Sequence, residues 1–199
     1  MSGQSWLRSL YAVRTCSQRN PRGSIAFRPW LESLEERSTP ASLNLTTIAD
    51  DTLYEVSTAD PSLQLSNGAG QHFYVGRTSE GTNDIRRGAI KFDLSAVPAG
   101  STITSATLTL NLSKTRSGAE SIALHRTLAS WGEGASNAGQ PSMGGGGEGA
   151  GTAAKPGDVT WFYTVFSTQK WNTPGGDFVS TPSASTSVAG VGSYQWSGA

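Results

Sequence analysis

"RRGAIKFDLSAVPAGSTITSATLTLNL", residues 86–112, sets two runs with a strand's two-residue period on either side of a turn marked by Pro98 and Gly100. In the first run Ile90, Phe92 and Leu94 alternate with Ala89, Lys91 and Asp93, which predicts a strand that turns the first set inward. The second run places Ala106, Leu108, Leu110 and Leu112 inward and Thr107, Thr109 and Asn111 outward. Ile103 is out of phase with that inner set, as expected of a bulge or strand entry near Ser105. Alternating runs joined by a short connection predict antiparallel β-structure.

The flanking sequence extends the pattern. "LNLTTIADDTLYEVS" (43–57) offers one or two strands, and "LQLSNGAGQHFYVGRTSEGTND" (63–84) a turn at Asn67-Gly68 followed by a strand. That strand would turn Phe73 and Val75 to one face and His72 and Tyr74 to the other. "SIALHRT" (121–127) turns Ile122 and Leu124 in and His125 out. β-Propensity returns in "GDVTWFYTVFSTQKWNTPGGDF" (157–178), and "TSVAGVGSYQW" (186–196) supplies a last strand or two. Between them "SNAGQPSMGGGGEGAGTAAKPG" (136–157) reads as a flexible Gly-rich loop. It is not a phosphate-binding loop, because it lacks the Gly-Lys-Ser/Thr ending.

Composition narrows the function classes. The 199 residues carry zero formal net charge and only 15% charged residues, so no global electrostatic footprint for nucleic acid or an anionic membrane exists. No apolar stretch is long enough to span a bilayer as a helix. Cys16 is the single cysteine, which excludes an intrachain disulfide, and the two histidines, His72 and His125, are a thin supply for acid-base chemistry. No G-x-S-x-G nucleophile elbow is present.

Residues 1–41 stand apart: Arg8, Arg14, Arg19, Arg22, Arg28 and Arg37 face only Glu32, Glu35 and Glu36. The segment reads as an export or targeting piece, largely disordered, ahead of a domain over 42–199. "RPWLESLEERSTPA" (28–41) resembles the LExLEDRxxPA-type motif that opens many exported planctomycete proteins, with Glu36 where those usually have Asp.

The segments "DDTLYE", "NGAGQHFYVG", "IKFDLSAVPAGSTITSATLTL", "IALHRTLASWGEG" and "GDVTWFYTVFSTQKWNTPGGDF" together resemble the DNRLRE family of bacterial extracellular domains. The resemblance covers residues 48–199, without the six-letter string that names the family. It implies an antiparallel β-sandwich of jelly-roll type, related to carbohydrate-binding modules. It also implies further strands beyond Ala199, so that the chain is expected to be a C-terminally truncated copy. The implied role is a non-catalytic module, secreted or at the cell surface, that binds a polysaccharide or surface glycan. A monomer, or part of a larger surface assembly, is the expected state, with no nucleic-acid partner and no membrane span.

A sugar packs its C–H face on an exposed ring while its hydroxyls seek polar neighbours. The glycan face expected on that basis is Tyr74 beside His72, with Thr109, Asn111 and His125 adding polar contacts where their strands adjoin it. The plainer alternative makes the histidines surface residues and Tyr74 cross-strand packing, with Trp131 and Trp161 in the core and Trp171 a loop anchor. No cofactor is expected; Asp50, Asp51 and Asp84 offer the oxygen ligands a structural calcium ion would take. Two other function classes stay open: a structural or adhesive domain with protein partners, and a polysaccharide-active enzyme. The first would show no exposed ring near polar groups, the second a groove with clustered acid, base and cation.

Overall fold

The computed structural model describes residues 41–139 and 147–198. The export reading of the N-terminal segment lies, but for Ala41, outside the described residues, as does the middle of the Gly-rich run. Ser42 onward forms one compact unit.

That unit is all-β and antiparallel, as the alternation in residues 86–112 predicts. The strands are β1 (Thr47–Tyr54), β2 (Leu65–Ser66), β3 (Gly76–Arg77), β4 (Ile85–Phe92), β5 (Ala106–Leu112) and β6 (Glu120–Leu124). They continue with β7 (Thr152–Ala153), β8 (Tyr163–Val165), β9 (Gln169–Lys170), β10 (Ala184–Val188) and β11 (Gly192–Gly198). Among the described residues helix is confined to two 3-10 turns, Pro61–Leu63 and Glu148–Ala150. β1, β4 and β3 form a sheet in that order, while β5 pairs with β11, β6 with β10, β2 with β7 and β8 with β9.

The core lies on one face of the β1–β4 pair. Ala49 and Leu53 stand opposite Lys91 and Arg87 in the ladder, and this face meets Trp131, Val159, Trp161 and Trp171. Trp171 is thus a core residue rather than a loop anchor: its indole N–H donates to the Thr160 carbonyl at 2.9 Å, so its burial leaves no donor unpaired. Trp196 is satisfied in the same way by the Ile122 carbonyl at 2.8 Å, which ties β11 to β6.

Alternation gave β4 its period but the wrong inner face. Ile85 and Ala89 pack on the tryptophan cluster, whereas Ile90 and Phe92 are half-buried on the opposite face with Arg86 and Gly88. Two long cations make this possible: Arg87 stacks over the Trp161 ring at 4.9 Å and Lys91 over the Trp131 ring at 4.7 Å, so polar letters cover apolar rings. Leu94 is 61% exposed because β4 ends at Phe92, where the Asp93 carboxylate accepts the Ser95 N–H at 2.8 Å and turns the chain. Ala106, at the start of β5, is also exposed.

Two further expectations need correction. Residues 72–75 are not a strand; only Gly76 and Arg77 pair with β4, because the Tyr74 N–H donates to the Thr52 hydroxyl at 2.9 Å instead of to a ladder carbonyl. The Gly-rich run is ordered at both described ends. Ser136 and Ala138 are buried, Glu148–Ala150 forms a turn, and Thr152–Ala153 pairs with β2. Side-chain acceptors supplied from elsewhere hold it there: Asp158 receives the Ala135 and Ser136 amides, and Asn67 that of Ala138.

Candidate functional site

The sequence "WNTPGGDF" (171–178) builds a surface groove. Asp177 folds the segment back on itself: its carboxylate accepts the Asn172 N–H and side-chain amide at 2.9 and 3.0 Å and the Thr173 N–H at 2.9 Å. Gly175, at φ +85°, lets the turn press on Trp161, to whose carbonyl it donates at 2.6 Å. The following residues then pair antiparallel with 126–128: the Leu128 N–H donates to the Asp177 carbonyl at 2.9 Å and the Val179 N–H to the Arg126 carbonyl at 2.9 Å.

The result is an open groove of about 310 Å³ lined by Arg87, Leu128, Thr173, Gly176, Asp177 and Phe178, together with Pro174. Phe178 is 37% exposed and Leu128 60% exposed. The Phe178 ring is braced from two sides, by the edge of His125 at 5.1 Å and by the Arg87 guanidinium at 5.2 Å. Arg87 in turn rests on Trp161 and donates to the Gly175 carbonyl at 2.7 Å. Burial lowers the affinity of Arg87 for its proton, with Glu55 opposing and Arg77 adding to the effect. An arginine so placed stays charged. Among the described residues no carboxylate lies within ion-pair distance of it. Chemically the groove offers one apolar ring face, one cation and the hydroxyl of Thr173. Its single carboxylate, Asp177, is already committed to three donors.

The five residues expected to form a glycan face fall into three places. His72 and Tyr74 belong to a corner built around Glu148. His72 Nδ1 lies 3.0 Å from one Glu148 oxygen and the Gln71 N–H donates to the other at 3.0 Å, while Gly149 packs beside the Tyr74 ring. Burial pushes the Glu148 carboxyl up, but the Gln71 N–H and the His72 contact outweigh it and leave it below its ordinary value. Burial and the neighbouring Glu148 push the Tyr74 hydroxyl up. Beneath this corner the Tyr54 hydroxyl donates to the Glu148 carbonyl at 2.5 Å, with the Arg86 guanidinium 5.1 Å above the Tyr54 ring.

Thr109 and Asn111 lie on the exposed face of β5, opposite Gln195 and Ser193 of β11, and Thr109 receives the Gln195 amide at 3.3 Å. His125 sits beyond the end of β6, its Nδ1 2.8 Å from the Val179 carbonyl and its ring against Phe178. Of the expected set, His125 alone borders the groove. Arg87 and Phe178 went unnoticed because one reads as an exposed strand cation and the other as the end of a Gly-Gly turn. The cue in the sequence was "NTPGGDF", whose turn formers present whatever ring follows them.

The oxygen ligands weighed for calcium are likewise dispersed. Asp51 is buried and filled by Thr52, Ser66 and Asn67 donors. Asp84 pairs with Arg77 at 2.9 Å. Asp50 is half-buried, its carboxyl raised by burial and by Glu133. Among the described residues no group of three or more His, Cys, Asp or Glu is placed to hold a metal ion, and no helix is long and apolar enough to cross a membrane. Compared with models of protein families, with curated proteins and with solved structures, the chain matches none.

Proposed function

We propose that this domain is a non-catalytic, secreted or surface-associated module that binds carbohydrate at the Arg87–Phe178 groove. The observation that carries the reading is the Phe178 ring, exposed at the groove wall and braced by His125 and Arg87, in a groove that Thr173 also lines. A sugar ring stacks on such a surface without being enclosed, and a braced ring costs little entropy to present. The likeness of the sequence to DNRLRE domains supports the same reading. Cleavage is disfavoured here because glycoside hydrolysis needs two carboxyl groups across the bond. The groove lining supplies one, and its oxygens are engaged.

A structural or adhesive role with a protein partner draws support from a different observation. Ile48, at the irregularity between Thr47 and Ala49 of β1, is 54% exposed, and Ile90 and Phe92 of β4 are only half-buried.

A glycan array probed with the full chain, followed by titration of soluble polysaccharides against the intact protein and Phe178→Ala, tests the proposal. Binding that the substitution weakens about tenfold or more supports the groove. No binding by a folded protein, or binding indifferent to Phe178, removes it.

A further inference from the structure

β5 is a long strand with only one covered edge. Among the described residues the backbone of 106–112 pairs with β11 on one side and makes no other bond. Its remaining N–H and C=O groups form a row of unpaired donors and acceptors, which is a template for another strand.

The other long strands are guarded. β4 lies between β1 and β3. On the side of β1 away from β4, the Asp50 N–H donates to the Glu133 carboxylate at 3.2 Å and the Thr52 N–H to the Asp51 carboxylate at 2.6 Å, so acidic side chains close that edge. β11 is covered by β5, and its Gln195 carbonyl accepts the Thr186 hydroxyl of β10 at 2.5 Å. β6 opens with Glu120, and Lys114 and Arg116 stand in the connection before it. Charge at an edge discourages strand addition. β5 carries none of these devices: it has no charge and no proline, and its ladder with β11 runs from Ala106 to Leu112 without a register shift. From Leu94 to Ser113 the chain holds no charged residue at all.

The side chains say which strand fits. Directly opposed residues of an antiparallel pair share a face. Thr107, Thr109 and Asn111 are exposed on one face of β5, while Leu108, Leu110 and Leu112 are half-buried on the other. A second β5, run antiparallel about a twofold axis at Thr109, matches every position. Leu108 then opposes Leu110 of the second copy, Thr107 opposes Asn111 of the second copy, and Thr109 meets itself. Just beyond the strand, Lys114 falls opposite Thr104 of the second copy and Arg116 opposite Thr102, so no like charges are brought together. A charged segment would find no counter-charge along this edge, whereas an uncharged strand of the same alternation is what β5 itself supplies. Zero formal net charge leaves no overall repulsion between copies.

We propose that two copies of this chain associate through β5, joining their β11–β5 ladders into one antiparallel sheet with Thr109 on the twofold axis. The single new ladder closes both open edges at once and sets the half-buried leucines of the two copies side by side. One strand pair is a small interface, so the dimer exchanges with monomer and its dissociation constant falls at about 10 to 100 μM.

Sedimentation of the full chain from about 1 to about 300 μM is the test, with Thr109→Lys and Thr109→Glu measured alone and mixed. The Thr109 side chain is exposed, so both variants should fold. The parent should pass from monomer to dimer. Each variant alone sets like charges face to face on the axis and should associate about fivefold or more weakly, and an equal mixture of the two should recover the parent's association. A parent that stays monomeric overturns the proposal. So does a dimer indifferent to both substitutions, which would lie on another surface, or a mixture that fails to recover. Should a variant not fold, hydrogen exchange of the parent decides. Protection of 106–112 should rise about threefold or more from the dilute to the concentrated sample while that of β1 and β4 stays level, and no such rise sinks the dimer.

Discussion

The Arg87 guanidinium lies over the Phe178 ring, 5.2 Å from its centroid, while the same group rests 4.9 Å from the buried Trp161. One side chain therefore couples the tryptophan core to the only aromatic surface of the groove.

Phe178→Ala should separate binding from stability. With the ring 37% exposed and its backbone held in an isolated bridge to Thr127, truncation should cost about 1 kcal/mol or less of folding stability. Glycan affinity, read by calorimetric titration, should fall about tenfold or more.

Arg87 should matter to both. Arg87→Ala removes two ring contacts and the bond to the Gly175 carbonyl, a loss of about 1 to 3 kcal/mol in denaturant unfolding. Arg87→Lys keeps the charge but not the planar fork, and recovery of less than half the loss is expected. Full rescue by lysine would show that stacking contributes nothing.

Gly175→Ala places a methyl group 2.6 Å from Arg87 Nη1 and 2.8 Å from Trp161 Cη2, at a φ of +85°. Stability should drop by about 1 to 3 kcal/mol. Trp161 fluorescence should change with it, since the turn can relax only by moving off the ring.

Stability should depend on pH through Asp51 with an unusual sign. The folded-state value is raised from 3.8 to about 7, so the folded protein binds the proton more tightly than the unfolded chain. The contribution is fully present below about pH 4 and is lost as pH rises through 7, by an amount on the order of 4 kcal/mol as an upper bound. Chemical unfolding midpoints should fall over this range in the parent and stay level in Asp51→Asn.

Tyr54→Phe deletes the hydroxyl that donates to the Glu148 carbonyl and leaves that acceptor beside a buried ring. A cost of about 1 to 2 kcal/mol is expected. His72→Ala, at the exposed end of the same corner, should change unfolding by a few tenths of a kcal/mol at most.

The antiparallel class was legible because side-chain period is a local property, and β5 and β6 follow their alternation closely. Which face of β4 meets the core was not legible. Arg87 and Lys91 write polar letters on the buried side by stacking on Trp161 and Trp131, an arrangement that depends on residues far away in the chain. The ends of the Gly-rich run failed for a related reason: Asp158, Asn67 and Tyr54 hold them by bonds that no window around residue 140 contains. The groove is not legible because its wall forms where 126–128 meets 177–179, and the sequence groups His125 with Tyr74 and His72 rather than with Phe178.

The pairing of β5 with β11 joins residues 80 to 92 apart in sequence, Thr107 and Ser197 among them. During synthesis β5 leaves the ribosome long before the strand that will cover its edge, with Leu108, Leu110 and Leu112 uncovered in the interval. A sheet closed by so distant a partner forms late and slowly, and until it closes this edge is open to mispairing with another chain.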